Sequence, residues 1–217
     1  SISFGISVAR GDVNADGKID IIAGGTGYSS STGRAYVFYG DGTNNFGTAT
    51  CSGSPAACSV NDADVTITGE SSSNFFGRTI STGDLNADGK VDLVVGAYGY
   101  STNTGRTYIF YNDGSIPTTA ATADVILTGE TTSNYFGFSI SIADYNRDGA
   151  NDLAVGAYGN ASFVGKVYIF NSTPATGSAT TANTSITGTV ASGEFGYALT
   201  SGDFNADGVQ DLMVGAE

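Results

Sequence analysis

GDVNADGKIDIIAGG, residues 11–25, sets a short acidic loop directly against a run of aliphatic residues. The phrase returns as GDLNADGKVDLVVGA at 83–97, as ADYNRDGANDLAVGA at 143–157 and as GDFNADGVQDLMVGA at 202–216. The leading aspartates Asp12, Asp84, Asp144 and Asp203 are separated by 72, 60 and 59 residues. A phrase that recurs at nearly constant spacing is architecture first and a site second.

Each period holds four short strand-like segments, clearest in the second copy. Arg78 to Thr82 is strand A, led in by Phe76-Gly77. The acidic loop follows, and then Val91 to Gly96, strand B, is almost continuously aliphatic, as a strand buried on both faces must be. Thr107 to Tyr111 is strand C and Asp124 to Thr128 is strand D, closing on Gly129-Glu130. Four antiparallel strands at this period describe β-propeller blades. The expected fold is therefore all-β, with repeats at 4–74, 75–134, 135–194 and a partial one at 195–217. That makes three full blades plus the first two strands of a fourth, whose closure into a ring of about four to eight blades requires further blades or other chains. The long first period reflects the connection from Tyr39 to Gly69, which contains CSGSPAAC and reads as an insertion rather than a domain.

Composition agrees. The chain has 217 residues, 32 of them Gly, and only 13% are charged, which suits strands and turns better than helices. Its 8 basic and 21 acidic residues give a net charge of −13, which disfavours nucleic acid and anionic membranes as partners. No apolar run approaches the roughly 18 residues needed to cross a bilayer, so membrane insertion is not expected. The abrupt start at Ser1, with no initiating Met, reads as a processed chain or a piece of one. Cys51 and Cys58 sit in one local loop. With no His in the chain, a disulfide suits them better than a zinc site and points to an oxidising, extracellular setting.

The acidic loops follow D-x-N-x-D-G-x-x-D. The oxygen-bearing positions are Asp12, Asn14, Asp16 and Asp20; Asp84, Asn86, Asp88 and Asp92; Asp144, Asn146, Asp148 and Asp152; and Asp203, Asn205, Asp207 and Asp211. Oxygen donors at positions 1, 3 and 5, with a Gly at 6 to turn the chain, suit a hard cation, and ligation by oxygen alone favours Ca²⁺ over Mg²⁺. The position-7 carbonyls of Lys18, Lys90, Ala150 and Val209 are expected to point inward. An EF-hand would need Glu at position 12, where Ala23, Val95, Val155 and Val214 stand. An ion-free turn rich in Asp, Asn and Gly is the competing reading. It does not account for three carboxylates in each of four loops, which together hold 12 of the 21 acidic residues. About four Ca²⁺ sites follow.

Phe-Gly before strand A, the D-x-N-x-D-G-x-x-D loop and Val-Gly-Ala after strand B, as in FGRTISTGDLNADGKVDLVVGAYG and FGFSISIADYNRDGANDLAVGAYG, together resemble the FG-GAP repeats of integrin α-subunit propellers and their relatives. The resemblance covers essentially the whole chain. It implies a propeller with Ca²⁺ in the loops of one face and an extracellular location. The third loop departs from the others in carrying Arg147 and in opening on Ala143.

Other motifs carry less. Arg10-Gly11-Asp12 spells an adhesion tripeptide, but Asp12 belongs to the acidic loop. Asn160, Asn171 and Asn183 head N-x-S/T triplets and are candidate glycosylation sites. Strand-C aromatics read as inter-blade packing, and Glu70, Glu130 and Glu194 as turn or inter-blade residues. Without His or a nucleophile motif, no catalytic residue is assigned and an enzyme is not expected. The sequence thus describes a calcium-binding propeller segment for adhesion or scaffolding, with a protein or glycan ligand and with self-association into a ring or filament open to it. A carbohydrate-binding lectin and a non-catalytic accessory domain of a secreted hydrolase are the alternatives.

Overall fold

In the computed structural model, residues 3–43, 46–47, 59–171 and 173–217 are described. The Cys51–Cys58 pairing lies outside them. Three sheets, each built on four antiparallel strands, follow one another along the chain. The first is β1 (Phe4–Gly11), β2 (Asp20–Gly25), β3 (Arg34–Phe38) and β4 (Val65–Thr68), hydrogen-bonded in that order. The second is β5 (Thr79–Gly83), β6 (Asp92–Ala97), β7 (Arg106–Phe110) and β8 (Val125–Thr128). The third is β9 (Ser139–Ala143), β10 (Asp152–Ala157), β11 (Lys166–Phe170) and, past a two-residue strand β12 (Gly177–Ser178), β13 (Thr184–Thr187). A two-stranded hairpin, β14 (Ala198–Gly202) and β15 (Asp211–Gly215), repeats the start of the pattern. The A-to-D strand order expected from the sequence is thus observed, each boundary within one residue in the second sheet.

The aliphatic runs take the second position of each sheet for a physical reason. β6 and β10 are buried at every residue, because a neighbouring sheet covers each face. One core packs Ile22, Val37, Ile67 and Phe76 with Val95 and Tyr108. The next packs Leu127 and Phe136 with Val155 and Tyr168. Successive sheets approach so closely at Gly96 that a Cβ there would collide with the carbonyl oxygen of Gly137. Backbone also crosses the junctions: Gly33 bridges Phe76, Gly105 bridges Phe136, Gly165 bridges Phe195, and β12 pairs parallel with β8.

Each second strand runs into a one-turn helical segment: α1 (Tyr28–Ser31), α2 (Tyr100–Asn103) and α3 (Asn160–Phe163). These turns are left-handed, with φ of 45°, 55° and 62° at Ser29, Ser30 and Ser31 and equivalent values in the other two. Such angles cost roughly 1–2 kcal/mol per non-glycine residue. They persist because the next segment uses the carbonyls they present: Ser73 N donates to Ser30 O at 3.0 Å and Phe75 N to Ser31 O at 2.8 Å. Beside these turns runs an aromatic belt, with Phe75 stacked on Tyr98 at 4.9 Å and Tyr135 on Tyr158 at 4.8 Å. The acidic loops occupy the opposite end of the sheets, since β5 starts at the aromatic end and Gly83 pairs with Asp92 at the other.

Candidate metal loops

Each acidic loop joins the first and second strands of its sheet and is built on one hydrogen-bond template. In the first loop the Asp12 carboxylate accepts from Asp16 N at 3.0 Å and from Gly17 N at 2.8 Å. Asn14 Oδ1 accepts from Asp16 N at 3.0 Å, and Asp16 Oδ1 from Lys18 N at 2.9 Å. The second loop repeats this with Asp84, Asn86 and Asp88. The third does so with Asp144, Asn146 and Asp148, and the fourth with Asp203, Asn205 and Asp207. Equivalent distances agree within 0.2 Å across the four copies in each case. The turn demands unusual backbone: Ala15, Ala87, Arg147 and Ala206 all have φ near 60°, and the Gly at position 6 is also left-handed, as at Gly89 with φ 82°.

The position-9 aspartates behave differently from the others. Asp20, Asp92 and Asp152 are 0% exposed, whereas Asp16, Asp88 and Asp148 lie at the surface. Asp92 accepts from Leu85 N at 2.8 Å and from Asn112 N at 2.9 Å, and Asp20 does the same with Val13 N and Gly40 N. Asp152 and Asp211 accept from Tyr145 N and Phe204 N. Burial raises the pKa of Asp20 and Asp92 above the ordinary carboxylate value. The two backbone amides oppose that shift, and the neighbouring loop aspartates add to it. The last contribution is like-charge repulsion, which a bound cation would reverse.

The donor set fits a hard divalent cation, because every candidate ligand is oxygen and an ionised carboxylate oxygen that accepts one amide keeps a further lone pair. Among the described residues, no three acidic, Cys or His side chains are gathered closely enough to hold an ion as they stand. The carboxylates instead face their own loop amides. Lys18, Lys90, Ala150 and Val209 contribute their amide N–H groups to the position-5 carboxylates.

Several partners of these loops were not singled out in the sequence. Asn112 Nδ2 donates to Asp12 O at 3.1 Å and Asn151 Nδ2 to Asp84 O at 3.0 Å, so each of these loops is tied to the following sheet. Arg147 Nη2 reaches the carboxylate of Asp207 in the fourth loop at 3.3 Å. A side-chain amide on a strand-end Asn has no sequence signature, whereas Arg147 stands out where the other loops have Ala. Gly11 is buried at the end of β1, which leaves Arg10-Gly11-Asp12 as part of a strand and its loop.

Serial four-stranded antiparallel sheets, packed face to face with an acidic hairpin loop in each, define a β-propeller blade array. The chain belongs to the FG-GAP repeat family, which it matches at residues 4–38, 76–110, 136–170 and 195–217. It is 35% identical over 153 residues to human phosphatidylinositol-glycan-specific phospholipase D, covering 64% of this chain and 18% of that protein. It is 29% identical over 233 residues to mouse integrin alpha-8, covering 98% of this chain and 19% of that one. Chicken integrin alpha-8 is 32% identical over 152 residues, covering 66% of this chain. The chain thus spans less than a fifth of the length of these relatives.

Proposed function

We propose that this chain is part of an extracellular propeller scaffold whose blades are stabilised by calcium and which serves adhesion, with no catalysis in these residues. The observation that carries the reading is the coupling of the acidic loops to the next sheet through Asn112 and Asn151, which lets an ion in one loop stiffen a blade junction. Ion binding to the native state alone stabilises by about 2.7 kcal/mol for each site held at a hundredfold excess over Kd. The test is thermal melting in calcium, in magnesium and in chelator. Calcium should raise Tm well above the chelated value and magnesium much less; coincident curves refute the reading.

The surrounding assignments follow from the same picture. The net charge of −13 disfavours nucleic acid as a partner, and among the described residues no helix is long and apolar enough to cross a membrane. Phe4 and Val8 on the first sheet, Met213 on the last hairpin and Phe204 in its acidic loop are exposed apolar side chains, suited to further blades or neighbouring copies. Asn171 and Asn183 are exposed and open to glycosylation.

A second reading is supported by the similarity to phosphatidylinositol-glycan-specific phospholipase D: an accessory domain of a secreted hydrolase, with the chemistry elsewhere in the parent protein. Assaying the parent protein with and without this segment separates the two.

A further inference from the structure

At the aromatic end, between the first and second sheets, a cavity of about 540 Å³ opens between the turn at 71–75, which precedes β5, and α2. We propose that this cavity binds a neutral sugar. Its volume falls in the range of small-molecule sites, about 300–1,000 Å³.

The lining carries the argument. It is made of serines 71–73, Asn74, Phe75 and the stretch from Gly99 through Tyr100 to Asn103, with no carboxylate and no basic side chain among them. The serines, Ser101 and Thr102 are exposed, and their hydroxyls are not spent on holding the fold. A hydroxyl donates and accepts at once, which is the complement of a sugar hydroxyl. At the back of the cavity Asn74 is only 3% exposed and its Nδ2 has no hydrogen-bond partner within the protein. An unmet buried donor is costly, and a ligand oxygen would satisfy it. Phe75 and Tyr100 supply apolar edges for the C–H face of a pyranose ring. The uncharged lining and the acidity of the chain select against anionic glycans.

The next junction provides an internal comparison. Asn134 takes the place of Asn74 there and is fully buried, with the Tyr168 phenol as its neighbour. Phe163 takes the place of Asn103 and packs its ring 6.0 Å from Tyr135 and 5.9 Å from Tyr158, filling the corresponding space. Asn103 instead donates to the Tyr135 hydroxyl at 3.3 Å and leaves the cavity open. Both residues are left-handed, with φ of 60° and 67°, so the exchange between them requires no change of backbone.

The test is saturation-transfer NMR on the chain with glucose, galactose, mannose and N-acetylglucosamine as separate probes, followed by titration of any binder. At least one sugar should bind saturably. Asn103→Phe should weaken it more than tenfold, and Ser101→Ala several-fold. Each variant installs the residue that the third sheet carries at the same place, Phe163 or Ala161, and melting checks that it folds. No binder in the panel, or unchanged affinity in Asn103→Phe or in Ser101→Ala, overturns the proposal. The cavity lies at the end opposite the acidic loops, so a panel without a binder leaves the calcium reading standing, and coincident melting curves in chelator leave this one standing.

Discussion

Glu70 Oε1 accepts from Arg106 Nη1 at 2.7 Å and from the Tyr108 hydroxyl at 2.8 Å, so one carboxylate following the first sheet binds two side chains of the second. The pair is about four-fifths buried on both sides. Arg106 also donates to Thr128 and lies over the Tyr100 ring at 3.6 Å, which fixes its guanidinium in place. At the next junction Glu130 meets Lys166 Nζ at 2.8 Å. Removing one partner strands the other, at a cost of about 2–3 kcal/mol for a pair that is not fully buried. Glu70→Ala should therefore lower stability by about that much, and by more than Glu130→Ala. Urea unfolding of the two variants measures the difference, and equal losses would show that the two-donor arrangement adds nothing.

The buried and exposed aspartates of one loop should separate stability from ion binding. Asp92→Ala removes two charge-assisted bonds to backbone amides and leaves those amides buried, so it should cost about 3 kcal/mol or more even in chelator. Asp88→Ala frees only the surface amide of Lys90 and should cost less than about 1 kcal/mol in chelator while weakening calcium binding. Denaturation with and without calcium distinguishes the two.

Arg147 already supplies positive charge to Asp207, a candidate ligand of the fourth loop. Its side chain and that of Asp207 are both more than half or about half exposed, so the effect is small. Arg147→Ala should tighten calcium binding at the fourth loop a few-fold in a calorimetric titration. A weaker site after the substitution would mean that Arg147 supports the loop.

Alkaline stability should follow the buried phenols. Tyr111 is pushed up to about 12 by burial first and then by Asp92 and Asp124, and Tyr108 is pushed up by burial and by its bond to Glu70. A phenol whose folded value exceeds its unfolded one, about 10, stabilises the fold fully below pH 10. That contribution is lost as pH rises through about 12. Tyrosinate absorbance should show the exposed phenols ionising first and the buried ones only with unfolding. A single transition of all 12 tyrosines near pH 10 with the fold intact would contradict this.

Most of the architecture was legible because strand identity here rests on local pattern. Apart from Asp92, the run at Val91 to Gly96 is apolar on both faces, so it had to be covered on both sides, and the observed strand is Asp92–Ala97. The three left-handed turns were not legible. Nothing in Ser29-Ser30-Ser31 favours positive φ, and the conformation is held by amides of the next segment, at Ser73 and Phe75. The acidic loops were legible as hairpin loops rich in Asp and Asn between the first and second strands. The division of labour within them was not, because the depth of Asp92 depends on Asn112, twenty residues away.

The central claim is that each acidic loop holds a hard divalent ion, and counting ions per chain tests it most directly. Native mass spectrometry of the chain in calcium should show a ladder ending at four bound Ca²⁺, shortened by one in Asp88→Ala. A bare chain at saturating calcium, or an identical ladder in the variant, would contradict it.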